Sequence, residues 1–225
     1  MPKKTKKELR EEEKTRSETR ELNFKLDNEQ IEVRQEILNN DITVLIGKAG
    51  SGKTAVACYT ALKMLLDGKV EKIIVCRPMI SNEEMGYLKG GLEEKYLPWC
   101  IPMLQNFNKM YNAKSIEYFM NKGIIEMLPL QFTRGVTYDN ACMILDEAQN
   151  TTPQQLKMVM TRIGKESKII ITGDCDQIDL KKNSDSGLLK IKDFNLSNFK
   201  VIELQNEHRK QIVIDILKAF KEIGY

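Results

Sequence analysis

The chain has 225 residues, 41% of them hydrophobic and 30% charged, with a formal net charge of +3. That is room for one substantial domain, and a chain of this size buries roughly 70% of its unfolded surface, so it needs no disulfide or metal to fold. The single histidine, His208, excludes a histidine-built metal cluster, and so small a net charge is weak support for a polyanionic partner.

The five cysteines form no C-x-x-C pair and mostly sit in apolar runs, which reads as buried, reduced thiols and a cytoplasmic protein. No run of 18 apolar residues and no apolar leader core is present, so neither a membrane span nor a signal peptide is expected.

Residues 1–22 carry eight Lys or Arg and six Glu, with Met1, Leu9 and Leu22 as the large apolar residues. Such a segment buries too little to offset its ordering entropy, so a charged, flexible tail is expected ahead of one domain over 23–225. Its acids nearly cancel its bases, which argues against a nucleic-acid-binding arm. Next, "DNEQIEVRQEILNN" reads as an amphipathic helix with Asp27 near its start and Ile31, Ile37 and Leu38 turned inward. Gln30 lies in it. A carboxamide can pair with N6 and N7 of adenine, although taken alone Gln30 reads as a helix-surface residue.

The apolar run "ITVLI" leads into "GKAGSGKT", Gly47 to Thr54, which matches G-x-x-x-x-G-K-[ST]. A chance match in a chain this long is on the order of one in a hundred, and a strand before and a helix after supply the context the motif needs. Gly47 and Gly52 remove the Cβ atoms that would hold backbone N–H groups off a phosphate. Lys48, Ala49, Gly50 and Ser51 complete the cradle, and the following helix aims its positive end at the same point. Lys53 is placed to bridge β- and γ-phosphates, and Thr54 to give its hydroxyl to Mg2+.

Beyond a helix over Lys53–Asp67, the run "KIIVC" reads as a strand ending at Arg77 before Pro78. The Gly-rich stretch 82–99 reads as a loop near the nucleotide, and helices are expected at about Trp99–Tyr111 and Lys114–Asn121. "GIIEML" is a third strand, and Arg134 follows it. "ACMIL" is a fourth, with Asp146 and Glu147 at its carboxyl end, where open α/β sheets bind ligands. Asp146 suits the outer ligand sphere of Mg2+, and Glu147 suits a general base that polarises an attacking water. A helix over Thr152–Ile163 precedes "KIIIT", a fifth strand ending in Gly-Asp-x-x-Gln. Gln177 there can donate to a γ-phosphate and accept from the water. "KVIEL" and a helix over Glu207–Ile223 close the chain. Nearly continuous apolar strands alternating with helices predict a parallel α/β sheet covered on both faces.

These four blocks (Gln30, the phosphate loop, Asp146-Glu147 and the Gln177 turn) resemble, in this order, the ATPase core of superfamily 1 helicases. The closer resemblance is to the PhoH family. "DITVLIGKAGSGKT", "IIVCRPMI", "GYLKGGLEEKYLPWCIPM", "PLQFTRGVTYDNACMILDEAQNTTPQQLKMVMTRIG" and "KIIITGDCDQID" carry it over most of residues 26–180. The brevity is similar to compact family members of bacteriophages. The resemblance implies a P-loop NTPase with a RecA-like sheet that binds ATP with Mg2+. It also implies hydrolysis coupled to binding of, or translocation on, RNA or single-stranded DNA. "ELQNEHRKQIVIDILKAF" is similar to the family's closing helix, which carries over Arg209. Arg77 becomes a phosphate contact or an ATP-sensing residue by the same likeness. Long family members add an RNA-binding or nuclease domain, for which 225 residues leave no room.

Superfamily 1 helicases bring arginines from a second RecA-like domain to the γ-phosphate. A lone domain must borrow one, so a homo-oligomer is expected, a hexameric ring among its forms, with Arg209 or another C-terminal basic residue reaching a neighbour's nucleotide. The alternative is a nucleotide-gated switch that binds a protein partner and hydrolyses little. A nucleotide kinase has no natural place for Glu147 and the Gln177 turn.

Overall fold

Six strands were expected from six apolar runs, and the computed structural model forms all six. It describes residues 21–78 and 92–223. The strands are β1 (Ile42–Gly47), β2 (Lys72–Arg77), β3 (Ile125–Pro129), β4 (Ala141–Leu145), β5 (Lys168–Gly173) and β6 (Phe199–Leu204). They form one sheet in the order β3-β2-β4-β5-β1-β6, and every pairing is parallel. The helices are α1 (Asn28–Asn39), α2 (Lys53–Leu66), α3 (Leu92–Met110), α4 (Ala113–Asn121), α5 (Pro153–Met160), α6 (Gly187–Ile191) and α7 (Gln211–Glu222).

The four central strands β2, β4, β5 and β1 are nearly continuous apolar runs because successive side chains serve two cores. Leu45, Ile73, Val75, Cys142, Ile144 and Ile170 face the layer of α1 to α4. Val44, Ile74, Cys76, Met143, Leu145 and Ile171 face the layer of α5 and α6. Alternation with two buried faces removes any polar stripe, and this is the pattern that marks parallel strands in sequence.

Asp27 caps α1 in a capping box: its carboxylate accepts from Gln30 N, and the Gln30 side chain accepts from Asp27 N. This sets the helix register and corrects its expected inward face. Ile31 is 51% exposed, while Gln30, Val33 and Ile37 are buried. At about 100° per residue those three share one face, and Ile31 sits a quarter turn away from it. Gln30 is therefore not a surface residue. The expected loop over 82–99 lies in part outside the described residues, and its Leu92–Trp99 portion is helical, opening α3. Leu92, Glu93, Glu94 and Lys95 are good helix formers that outweigh the flanking glycines. The tail over 1–22 lies, but for its last two residues, outside the described residues; Leu22 packs on the core.

The last helix starts later than expected, at Gln211, and presents Ile212, Ile216, Leu217 and Phe220 at 47–61% exposure, with Ile223 just beyond it at 69%. No helix among the described residues is long and apolar enough to cross a membrane.

Cys58, Cys76, Cys100 and Cys142 are buried, and Cys175 is half-buried. Burial pushes the Cys76 and Cys142 thiols up to about 12, and the Cys100 thiol up to about 11, with the Tyr96 hydroxyl opposing it. Thiolate is the reactive form. A thiol titration of the native protein near pH 8 is thus expected to label Cys175 first and the other four at the rate of unfolding. Fast labelling of several thiols would contradict the buried placement.

Candidate active site

The order of strands gathers the motifs. β1 lies between β5 and β6, and β5 separates it from β4, so three carboxyl ends open side by side. There the phosphate loop, the turn after β4 and the turn after β5 line a cleft of about 480 Å3. Gly50 (φ +94°) and Gly52 (φ +84°) take left-handed backbone that other residues adopt with strain. Gly52 ends the loop as the N-cap of α2 with no side chain capping it, so the helix keeps its first N–H groups for a ligand.

Lys53 is folded back onto its own loop. Its Nζ donates to the carbonyls of Gly47 at 2.6 Å and Lys48 at 2.8 Å. Burial lowers its pKa from the ordinary lysine value, while Asp174, Glu147 and Asp146 oppose the shift. Asp146 is buried, and its Oδ1 accepts from Thr54 Oγ1 at 3.1 Å and from Thr172 Oγ1 at 2.6 Å. Thr54 and Asp146 come from different elements yet meet in one hydrogen bond. They offer hard oxygen donors, the type Mg2+ takes when it keeps waters and phosphate oxygens as well. No cluster of three or more His, Cys, Asp or Glu among the described residues could hold an ion unaided. The residues fit an ion shared with phosphates.

Glu147 follows Asp146 with left-handed backbone, φ 57° and ψ 40°, uncommon for a non-glycine residue. Its Oε1 pairs with the Arg77 guanidinium at 3.2 Å, and its Oε2 accepts from Gln149 Nε2. Gln149 in turn accepts from Asp174 N at 3.1 Å, at the turn that carries Gln177. Gln177 is exposed at the lip of the cleft.

A strap over 205–210 runs from β6 across the loop. Glu29 accepts from Gln205 N at 2.7 Å and Asn206 N at 3.0 Å, and His208 N donates to Gly50 O at 3.0 Å. His208 Nε2 lies 3.2 Å from Asp27 Oδ2 and 3.5 Å from Gln30 Nε2. Arg209 packs against Gly50, where any Cβ would overlap its side chain.

A family model described as PhoH-like protein matches residues 25–221. The chain belongs to the PhoH family. It is 43% identical over 186 residues to a PhoH-like protein of Bacillus subtilis, covering 80% of this chain and 58% of that one. It is 35% identical over 162 residues to Protein PhoH of Escherichia coli K12, covering 71% of this chain and 46% of that one. The chain thus spans about half the length of the curated relatives it matches. Among solved structures it is similar to the large terminase of a thermophilic bacteriophage, with a TM-score of 0.54 and 10% identity. That match covers 87% of this chain and 50% of the terminase, and at that identity it speaks for the fold, a RecA-like P-loop sheet.

In this PhoH domain Ala49, Gly50, Gly52, Lys53, Thr54, Asp146, Glu147, Gln177 and Arg209 line one cleft. Gly47, Lys48 and Ser51 lie in the loop itself, Ser51 buried within it. Three placements stand beside those expectations. Arg209 sits at the phosphate loop of its own chain. Gln30 stands behind Gly52 with its carbonyl oxygen bonded to Asp27 N and its amide facing His208, both set by the cap of α1. Arg77, expected to contact a phosphate or sense ATP, is paired with Glu147, while Arg134 is exposed. Sequence reasoning missed Thr172 and Gln149. A hydroxyl following three Ile residues in β5 was the signal available for Thr172; Gln149 carried none.

Proposed function

We propose that this PhoH domain hydrolyses ATP with Mg2+ and couples the cycle to RNA or single-stranded DNA. The observation that carries the reading is the Thr54–Asp146 hydrogen bond, in a cleft that Lys53 and Glu147 also line. Bound Mg2+ would neutralise charge on the β- and γ-phosphates. Thr54 and Asp146 hold the oxygens that face it. Lys53 turns from the Gly47 and Lys48 carbonyls to the phosphates. Glu147 takes a proton from the water whose oxygen bonds to the γ-phosphorus as the bond to the β–γ bridging oxygen breaks. Gln177 orients that water from the lip, Arg209 adds a cation above the loop, and Gln30 contacts adenine once His208 yields. The nucleic-acid track rests on the family resemblance.

A homo-oligomer, a hexameric ring among its forms, belongs to the same reading, supported by the bare apolar face of α7. Five free thiols suit a reducing, cytoplasmic compartment. A second reading, a nucleotide-gated protein switch with little turnover, is favoured by the engagement of both Glu147 oxygens.

The test is phosphate release by wild type and Glu147→Gln, with and without single-stranded RNA and DNA. The expected result is turnover that falls about 10²-fold or more in Glu147→Gln and rises in wild type with one nucleic acid. Slow turnover in both, indifferent to either polymer, would favour the switch.

A further inference from the structure

The Glu147 carboxylate is tied down at both oxygens, by residues of two different elements. Oε1 faces the Arg77 guanidinium at the end of β2, and Oε2 accepts from Gln149 in the turn after β4. A general base must turn an oxygen toward the water whose proton it takes, and with one bond on each oxygen, from two different directions of the chain, this carboxylate is held in place at Arg77 and Gln149.

Arg77 is itself anchored. Its NH1 donates to the carbonyl of Trp99 at 3.0 Å, and its backbone N–H donates to the Tyr96 hydroxyl at 2.9 Å. Trp99 lies in α3 between Pro98 and Pro102. Arg77 therefore keeps a partner at Trp99 when it releases Glu147. The ion pair is partly open to water, at 20% exposure for Arg77 and 35% for Glu147. Pairs so placed hold weakly. The Gln149 bond leads on to Asp174 N, in the turn that brings Gln177 to the cleft.

We propose that Arg77 is a positioning residue that latches Glu147 at rest, and that a nucleoside triphosphate in the cleft opens the latch through the Asp174 turn. The inference rests on the ATPase reading and adds its regulation: once the terminal phosphate is in place, opening of the latch is the step that limits turnover.

The sole tryptophan of the chain, Trp99, is half-buried at the anchor of Arg77 and serves as the reporter. The first arm follows its emission while Mg2+ and a non-hydrolysable ATP analogue, or ADP, are added. Wild type should respond to the triphosphate and not to ADP, and Arg77→Ala should start at shifted emission and respond to neither. The second arm measures steady-state turnover. Arg77→Ala should raise kcat about tenfold with KM within about twofold. Arg77→Lys, which keeps a cation without the planar fork, should raise kcat less. Gln149→Ala breaks the other bond without touching β2 and should also raise kcat, so the latch remains testable if Arg77→Ala does not fold.

A kcat that falls in Arg77→Ala and Gln149→Ala would overturn the latch, as would a Trp99 signal indifferent to the triphosphate. A Trp99 response in wild type that is lost in Arg77→Ala, with no turnover in any variant, would support the latch and overturn the hydrolase reading.

Discussion

Asp146→Asn is expected to lower ATP turnover by about 10²- to 10³-fold while the unfolding midpoint stays close to wild type. The two effects separate because Asp146 has two tasks. Its Oδ1 accepts hydroxyls from Thr54 and Thr172, which tie α2 and β5 to the end of β4. An asparagine carbonyl of the same shape accepts both bonds. What it lacks is the negative charge facing the ion, and the charge stabilisation given by such an ion is worth several kcal/mol of barrier, each 1.4 kcal/mol being about tenfold. Phosphate release at saturating ATP, with a Mg2+ titration, measures the first effect, and thermal unfolding the second. A loss under about threefold at every Mg2+ concentration would remove Asp146 from the ion's surroundings. A large drop in midpoint would make it chiefly a structural acceptor.

Lys53→Met is expected to weaken Mg-ATP binding by about 10²-fold, since it removes a charge-assisted contact to phosphate oxygens. Equilibrium binding of a fluorescent ATP analogue reads it, and an unchanged Kd would end the phosphate assignment. The same variant carries a pH signature. Burial lowers the folded-state pKa of Lys53 below its ordinary 10.5, so between those values the unfolded chain binds more protons. Stability contributed at this site therefore rises with pH in that alkaline window. The difference in unfolding free energy, wild type minus Lys53→Met, should shift in favour of wild type as pH approaches 10.5. A difference that moves the other way would mean that the lysine gains more from Asp174, Glu147 and Asp146 than it loses to burial.

The strands were legible because a strand buried on two faces leaves a local record, a short run of Ile and Val with no alternation. The phosphate loop was legible because its glycines, Lys53 and Thr54 are contiguous, and the chemistry of one loop is written in one place. Arg77 and Glu147 were each visible as strand-end residues, but their ion pair depends on β2 lying beside β4, which no local pattern states. Arg209 at Gly50 required β6 to lie beside β1 and the chain after it to turn back over the loop. That turn delays α7 to Gln211, whereas the periodic pattern alone extends the helix to Glu207. Ile31 was misplaced because its apolar side chain outweighed Gln30 in the reading, and it is the capping box at Asp27 that fixes which face turns in.

The strap over 205–210 has a thermodynamic consequence. It holds Arg209 against the phosphate loop at one end and continues into the apolar stripe of α7 at the other. Any molecule that grips α7 more tightly in one strap position than another must also alter affinity at the loop, and the relation is symmetrical. The factor by which such a grip changes nucleotide affinity is the factor by which nucleotide changes the grip. Affinity at the cleft, titrated with and without α7 occupied, therefore measures the strength of an association on the far side of the strap without observing that association directly.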